Sequence, residues 1–244
     1  MNLPRLLSDL HGFSEVQTVD EIEALCRQHA RAMGFDHFIY ALRVPSRFSE
    51  ARVVVVNGYP EPWLSHYWEA AHQAVDPVVA HCTQRVVPIQ WHDLEATSSP
   101  AAQRMMNEAA DFGLRDGLSM PVHSPQGELG ILSFALNHHD KAAREVTQQA
   151  LPVVQLMAAY VHEATRRVFS LSNTDAVPLS ARETECLRWV ADGKTSGEIA
   201  QLLAMSERTV NFHLNNAMIK LDVSNRQHAV AKAVLRGLVN PHPF

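Results

Sequence analysis

Ser-Ala-Arg-Glu-Thr-Glu-Cys-Leu stands at residues 180–187, and three runs follow it: Gly-Lys-Thr at 193–195, Glu-Ile-Ala at 198–200 and Ser-Glu-Arg-Thr-Val-Asn-Phe-His-Leu at 206–214. Two pairs within these runs, Ser180 with Glu183 and Thr195 with Glu198, have the spacing of a capping box. In that motif a hydroxyl and a carboxylate satisfy the free amides at a helix start. The runs therefore predict two successive helices, each with its own start signal.

Two more helices are expected after these, with Ser206 as the N-cap of the third and Asn225 as the N-cap of the fourth. A helix, a tight turn and a second helix that exposes short polar side chains form the arrangement that reads DNA. The stretch therefore indicates a transcription factor, and the alternative is a four-helix packing module whose polar face is solvated. Apolar residues at helical spacing give these helices a face to bury: Ile199, Leu202, Leu203, Val210, Leu214, Met218 and Leu221.

The third predicted helix is the expected DNA reader. Asparagine pairs with adenine edges, an aromatic ring contacts a thymine methyl, and arginine and lysine bind phosphates. The free amides at the Ser206 end of the helix are also suited to a phosphate. With its apolar side buried, this helix is expected to leave five residues toward solvent: Arg208, Asn211, Phe212, Asn215 and Lys220.

Residues 178–240 resemble the C-terminal DNA-binding domain of the LuxR-type regulators. Glu183, Leu187 and Gly193 stand where that family has recurrent residues, and the Glu-Ile-Ala and Thr-Val-x-Phe-His runs are similar. Many members carry a lysine at one of two asparagine positions of this chain, so its preferred DNA site need not follow theirs. The resemblance implies that Asn211, Phe212 and Asn215 contact bases. It also implies that five residues lie at or near positions that face DNA phosphates: Thr195, Arg208, Thr209, His213 and Lys220.

Charge is divided unequally along the chain. Residues 177–244 carry a net charge of +2, and residues 1–176 carry −7. A mildly basic domain beside an acidic one fits DNA contact through one face. Because the excess is small, one copy should bind weakly, and two copies on a two-fold site would multiply the phosphate contacts. We therefore expect a homodimer on a palindromic promoter element, and the resemblance adds RNA polymerase as a further partner.

Length and composition indicate two globular domains in 244 residues. We expect a sensor domain at 1–170, a linker rich in small polar residues at 171–178 and the helix-turn-helix domain at 179–244. No run approaches the ~20 apolar residues of a membrane span, and Met1 to Leu10 lacks the apolar region of a secretory signal. Cys26, Cys82 and Cys186 are scattered and odd in number, which predicts reduced thiols in a cytoplasmic protein.

The sensor domain alternates helices with β-prone runs, which predicts an α+β fold. Its expected form is an α-β-α sandwich with a central antiparallel sheet, similar to sensor domains of the GAF or PAS type. Pro121–Gly127 is expected to form a hairpin turn, and the last helix is expected to be kinked or interrupted at Pro152. The predicted helices are Val19–Met33, Glu61–Ala71, Pro77–Thr83, Pro100–Phe112 and Asp140–Ser170. The predicted strands are Phe38–Val44, Arg52–Asn57, Val86–Gln90, Gly117–Val122 and Gly130–Leu136.

An aromatic cluster around one carboxylate is the candidate ligand site. Tyr59, Trp63 and Tyr67 are spaced by four, and Trp63 and Tyr67 must share one helix face. Asp76 precedes a proline, and Trp91 follows a predicted strand. Rings with a few placed polar groups fit a small neutral amphiphile that carries amide and ester groups. Taken singly, each aromatic is also compatible with an ordinary core, and Asp76 with a helix cap.

The same residues resemble the acyl-homoserine-lactone-binding domain that precedes this DNA module, together with Phe112-Gly113, Gly117 and Ser133. The resemblance implies that Trp63 donates to the lactone carbonyl and that Asp76 accepts the ligand amide. It implies that Tyr59 and Ser133 bind the acyl carbonyl, that Trp91 packs on the lactone ring and that Tyr67 lines the acyl side. We expect Gly117 to allow a close backbone approach and not to contact the ligand.

The expected function is therefore a quorum-sensing transcriptional regulator that responds to an N-acyl-homoserine lactone. One alternative is a regulator of the same type that responds to another small metabolite, and another is an interaction or hydrolase domain fused to a DNA module. The 14 histidines show no structural zinc spacing, so no metal and no cofactor are expected. Catalysis is not expected either, because nucleophile-elbow and phosphate-loop motifs are lacking. A receiver domain is excluded because residues 1–60 have no acidic cluster after a strand.

Overall fold

The computed structural model describes residues 10–47, 50–94, 99–125, 127–169 and 178–239. It divides into two compact units, one formed mostly by the residues up to Phe169 and the other mostly by those that follow. The predicted linker at 171–178, except Pro178, and the start of the chain at 1–9 lie outside the described residues. No helix among the described residues is both long enough and apolar enough to cross a membrane.

The first unit is built on one five-stranded antiparallel sheet, which confirms the predicted α+β class. The strand order is β2-β1-β5-β4-β3. The strands are β1 (His37–Arg47), β2 (Glu50–Gly58), β3 (Ile89–Gln90), β4 (Asp116–His123) and β5 (Leu129–Leu136). The helices are α1 (Val19–Met33), α2 (Glu61–Glu69), α3 (Pro77–Gln84), α4 (Pro100–Asp111) and α5 (Lys141–Val168).

Alternation along the strands gives the sheet two apolar faces, as a sheet covered on both sides requires. Tyr40 of β1 points toward α5, where its hydroxyl lies 2.8 Å from Nδ1 of His162. Its neighbours Ile39 and Ala41 line a cavity on the opposite face, where α3 contacts β4 and β5. The α-β-α arrangement of the sensor unit therefore follows from the period-two pattern of the strands.

Three local predictions for this unit are right only in part. The run at Val86–Gln90 forms a strand only at Ile89–Gln90. The predicted hairpin turn joins β4 to β5 with Gly127 at φ 74°, but Pro121 lies inside β4 opposite Ile131 and not in the turn. Short β3 pairs only with Leu118 and Ser119 and needs no amide from Pro121. Helix α5 continues through Pro152 without interruption. Its flanking side chains at positions 150, 153 and 154 are buried, and this packing offsets the hydrogen bond that proline removes.

The second unit contains four helices among its described residues, as predicted. They are α6 (Ala181–Ala191), α7 (Ser196–Leu202), α8 (Glu207–Leu221) and α9 (Arg226–Leu235). Both predicted capping boxes are present at Ser180 and Thr195, and Ser206 and Asn225 cap the third and fourth helices. The helices share one core, which includes Cys186, Leu187, Ile199, Val210, Leu214, Ala217, Leu221, Ala229 and Ala233.

Candidate ligand cavity and nucleic-acid interface

A cavity of about 300 Å³ lies between one face of the sheet and helices α2, α3 and α4. Its walls are mainly aliphatic and aromatic, and they include Ile39, Val55 and Ile131 from the strands and Met105 from α4. All six residues predicted as ligand contacts line this cavity: Tyr59, Trp63, Tyr67, Asp76, Trp91 and Ser133. The structure therefore brings together residues that are separated by up to 74 positions in the sequence.

One buried hydrogen-bond donor on the cavity wall has no partner among the described residues, and a second donor, the Trp63 indole, stands near it. Tyr59 follows β2, and its buried hydroxyl makes no hydrogen bond. Burial raises the pKa of Tyr59 above its ordinary value, with a further contribution from the charge of Asp76. Trp63 lies on α2 with only 4% of its surface exposed, and ring contacts with Tyr67, His72 and Phe112 fix its indole. Unpaired buried donors cost free energy, so this wall is suited to a ligand that supplies acceptors.

Asp76 is both a helix cap and a cavity residue. Its Oδ1 accepts from the amides of Val78 at 2.7 Å and Val79 at 3.3 Å, while Oδ2 accepts from the Tyr67 hydroxyl at 2.9 Å. Burial raises the pKa of Asp76, and the hydrogen bonds from Tyr67 and the two amides oppose that rise. The sequence predicts Tyr67 only as a lining residue, so its bond to Asp76 is an addition from the structure.

Trp91 belongs to a buried chain of hydrogen bonds that the sequence analysis missed. Its indole N–H donates to the hydroxyl of Ser119 at 2.9 Å, and that hydroxyl shares a bond of 2.7 Å with the hydroxyl of Ser133. Ser119 stands opposite Ser133 in the β4–β5 register, which is the signal that could have identified it. A Cβ on Gly117 would lie 2.4 Å from the carbonyl oxygen of Phe134, so the expected close approach at Gly117 is confirmed.

The second unit exposes the residues that the sequence predicts for base contact. Arg208, Asn211, Phe212 and Asn215 on α8 are exposed, and the Phe212 ring is 60% exposed. Of the residues expected to face phosphates, Thr195 and Ser206 are exposed at helix starts, whereas Thr209 and His213 are half-buried. The exposed face of α8 is therefore polar apart from Phe212 and Ile219.

Two side chains of α8 are held by the protein itself. Asn211 Oδ1 accepts a hydrogen bond from the Ser196 hydroxyl at 2.7 Å, which leaves its amide N–H groups available as donors. Lys220, expected to face solvent and DNA phosphates, is half-buried and bonded within its own unit, and its phosphate contact stays a prediction. Its Nζ lies 2.8 Å from Oε2 of buried Glu183 and 3.1 Å from the Pro178 carbonyl oxygen. Lys220 neutralises a carboxylate that would otherwise be buried with no opposite charge.

A cluster outside the predicted set lies beside the cavity wall. His66, His72 and Glu108 place one ligand atom each within 4.8 Å of one another, and they are the one such trio in the described part of the chain. The His72 ring is stacked on the Trp63 indole, with centroids 5.7 Å apart. The three cysteines are buried and free.

Two family models match the chain. Residues 18–165 match the model described as "Autoinducer binding domain". Residues 177–233 match the model described as "Bacterial regulatory proteins, luxR family".

Named relatives are similar over almost the full chain. The transcriptional activator protein AhyR of Aeromonas hydrophila is 36% identical over 248 residues, covering 99% of this chain and 95% of AhyR. The HTH-type quorum-sensing regulator RhlR of Pseudomonas aeruginosa is 32% identical, covering 93% of this chain and 94% of RhlR.

The solved structure of Escherichia coli SdiA is 28% identical, with a TM-score of 0.76, and the match covers 98% of this chain and 99% of SdiA. The structure of SdiA in complex with octanoyl-rac-glycerol is 29% identical, with a TM-score of 0.74, covering 98% of this chain and 97% of that one.

Proposed function

This chain belongs to the luxR family of bacterial regulatory proteins and carries an autoinducer-binding domain, and we propose that its autoinducer is an N-acyl-homoserine lactone. The family consists of transcriptional regulators and not of enzymes. Ligand binding would control a homodimer on a palindromic promoter element of quorum-sensing genes. We assign the sensor to residues 1–170, the linker to 171–178 and the DNA-binding domain to 179–244.

One observation carries the ligand assignment: the cavity combines apolar walls with the unpaired hydroxyl of Tyr59, the indole of Trp63 and a carboxylate. An acyl chain fits walls made of valine, isoleucine and methionine, since burying apolar surface is favourable. The carbonyl groups of an acyl lactone offer acceptors for the indole of Trp63 and the hydroxyl of Tyr59. A volume of about 300 Å³ lies at the low end of the usual range for ligand sites, which favours a short acyl chain.

Each polar group of the ligand has a proposed partner. Trp63 would donate to the lactone carbonyl, while Tyr59 and Ser133 would bind the acyl carbonyl. Asp76 would accept the amide N–H with Oδ2, beside the hydrogen bond from Tyr67. Trp91 would pack on the lactone ring in an orientation fixed by Ser119. Burial of these ligand groups without partners would cost about 1–3 kcal/mol each.

An acyl glycerol is the second candidate, because the SdiA structure holds octanoyl-rac-glycerol. That ligand is an ester and has no amide N–H, so Asp76 would lose its role as amide acceptor. The amide therefore distinguishes the two candidates. If Asp76→Asn weakens an acyl lactone by tenfold or more but leaves octanoyl glycerol unchanged, the carboxylate recognises the amide.

Mass analysis tests the ligand assignment directly. The full chain is expressed beside a lactone synthase, purified and extracted, and the lactone is expected at one molecule per chain. The Trp63→Phe variant should retain less of it, whereas Trp189→Phe, in the other unit, should retain as much as the unaltered chain. Recovery of no lactone, together with equal melting temperatures with and without added lactones, would overturn the assignment.

The DNA-binding proposal rests on the exposed face of α8. Asn211, Phe212 and Asn215 would contact base edges in the major groove, where a helix fits. Because Asn211 Oδ1 is engaged by Ser196, we propose that its amide donates to base acceptors such as guanine O6 or N7. Thr195, Ser206, Arg208, Thr209 and His213 would face phosphates. As a transcriptional regulator, the bound dimer would act on RNA polymerase.

Binding to a panel of promoter sites that differ by single bases tests this readout. Asn211→Ala should change the preference at one position of each half-site, while Gln227→Ala, an exposed residue of α9, should leave it unchanged. An unaltered preference in Asn211→Ala would exclude direct readout by this residue. Sedimentation of the lactone-bound chain with its DNA should show two chains per palindrome.

A further inference from the structure

His66, His72 and Glu108 come from three separate elements and meet at one point. His66 lies on α2, His72 on the turn that follows it, and Glu108 on α4. Nε2 of His66 is 2.7 Å from Oε2 of Glu108, and Nε2 of His72 is 3.1 Å from the same oxygen. The two Nε2 atoms are 3.4 Å apart. Each of the two imidazoles therefore directs its Nε2 atom at the same carboxylate oxygen.

We propose that His66, His72 and Glu108 bind one divalent transition-metal ion, of which Zn²⁺ is the representative. Zinc–nitrogen and zinc–oxygen bonds of about 2.0–2.1 Å in a tetrahedron put neighbouring ligand atoms about 3.3 Å apart. Two of the three observed separations are within a few tenths of an ångström of that value. The third requires Glu108 and His66 to separate by about 0.6 Å, and both side chains are over 40% exposed and able to adjust.

The donor set selects the class of metal. Two neutral imidazoles and one carboxylate suit zinc and its neighbours in the first transition series, whereas calcium and magnesium prefer oxygen alone. Three protein ligands leave a position for water, as in an open zinc site. An ion would occupy the point at which the two Nε2 atoms and the carboxylate oxygen now converge.

The position gives such an ion a consequence for the cavity. His72 is stacked on the indole of Trp63, and α2 carries both His66 and Trp63. Glu108 precedes Ala109, which lines the cavity. One ion would fasten two walls of the cavity together. By thermodynamic reciprocity, ion and signal molecule would then raise each other's affinity. This site goes beyond the proposed function, because lactone recognition requires no metal.

Cobalt titration tests the site, since tetrahedral Co²⁺ has a strong visible absorption and substitutes for Zn²⁺. The full chain, freed of any affinity tag and dialysed against chelator, should bind one Co²⁺ that Zn²⁺ displaces. His66→Gln and Glu108→Gln should each weaken Co²⁺ binding at least tenfold. The matched control is His138→Gln, because His138 also contacts a carboxylate, Asp140 at 3.1 Å, with no second histidine in that contact.

Unchanged Co²⁺ affinity in both variants, or loss in the His138→Gln control alone, would overturn the proposal. Because both altered side chains are half-exposed, the variants should keep the circular dichroism of the unaltered chain. If either unfolds, X-ray absorption by the zinc complex of the unaltered chain decides. Two imidazoles with oxygen donors support the site, and fewer imidazoles refute it. No lactone enters these measurements, so failure here and failure of the lactone assignment are distinguishable.

Discussion

The two units of this chain treat their polar groups in opposite ways. In the DNA-binding unit each of the four described helices has its own N-cap, and buried Glu183 is paired with Lys220. In the sensor unit the buried hydroxyl of Tyr59 has no partner among the described residues, and it faces a cavity of about 300 Å³. Within the DNA-binding unit Arg188 Nε is the one buried side-chain atom without a hydrogen-bond partner among the described residues. The sensor unit, by contrast, lacks atoms that a ligand would supply at its cavity. Stability and signal response should therefore reside in different units.

The largest effect is expected from breaking the pair that completes the DNA-binding unit. Lys220→Met leaves the Glu183 carboxylate buried without its cation, and we expect a loss of about 3 kcal/mol in the unfolding free energy of this unit. Amide hydrogen exchange in α6 and α8 measures it. Burial raises the pKa of Glu183, but hydrogen bonds from Lys220 and the Ser180 amide outweigh burial and hold the pKa below 4.5. The pair's contribution is therefore complete above pH 4.5 and is lost as pH falls through the lowered pKa.

Lys194→Met is the matched control within the same unit. Lys194 is exposed and lies 3.9 Å from exposed Glu198, so its removal should cost less than about 1 kcal/mol. Equal losses in the two variants would show that burial of Glu183 is not what makes Lys220 important.

The second largest expected effect is that an acyl lactone stabilises the sensor unit and leaves the stability of the DNA-binding unit unchanged. An acyl lactone at a hundredfold excess over its dissociation constant should raise the unfolding free energy by about 2.7 kcal/mol. Exchange of amides in β1 and β5 should slow, while exchange in α6 and α8 should not change. Equal slowing of exchange in both units would contradict this prediction, since the ligand would then stabilise the DNA-binding unit as well as the sensor unit.

The DNA-binding unit was predictable because its signals are local. Ser180 and Thr195 are three residues from the glutamates that complete their capping boxes. Apolar residues at helical spacing gave the buried faces except at Leu202, which is 51% exposed. The ion pair of Lys220 shows the limit of such local signals. Its partner Glu183 is 37 positions away, and helical periodicity says nothing about such a pair.

The sensor unit was predictable only in part, since its site is assembled over long separations. The six cavity residues were identified through family resemblance, and the helix and strand order followed from periodicity. Ser119 was missed because its importance depends on strand register with Ser133. The cluster of His66, His72 and Glu108 was missed because Glu108 is 42 positions from His66. Burial of the residues flanking Pro152 overrides the local tendency of proline to interrupt a helix.

The third prediction uses Asp76 to separate the stability of the protein from its recognition of the ligand. Burial raises the pKa of Asp76, so the charged form of its carboxyl group opposes folding of the ligand-free protein. Asp76→Asn removes that charge and keeps an oxygen for capping, so the melting temperature of the empty protein should stay equal or rise. Lactone affinity should nevertheless fall about tenfold, because a charged acceptor of the amide is lost. In the unaltered chain affinity should fall as pH decreases toward the raised pKa.

Asp93→Asn is the control, since Asp93 is exposed and lies outside the cavity lining. Parallel losses of stability and affinity in Asp76→Asn would mean that the cap, and not ligand recognition, is the main role of this carboxylate.

The smallest expected effect comes from two serines that face each other across β4 and β5. Ser119 accepts the indole N–H of Trp91, and Ser133 lines the cavity. Ser119→Ala leaves the Trp91 indole without its acceptor, which should cost about 1 kcal/mol of stability whether or not ligand is present. Ser133→Ala leaves that bond intact but removes a cavity hydroxyl, so it should reduce mainly the stabilisation by lactone. Denaturation of both variants with and without lactone distinguishes these outcomes. If both substitutions reduced only the stabilisation by lactone, Ser119 would belong to the binding site. The sensor unit would then contain no contrast between a serine bonded within the protein and a serine that awaits the ligand.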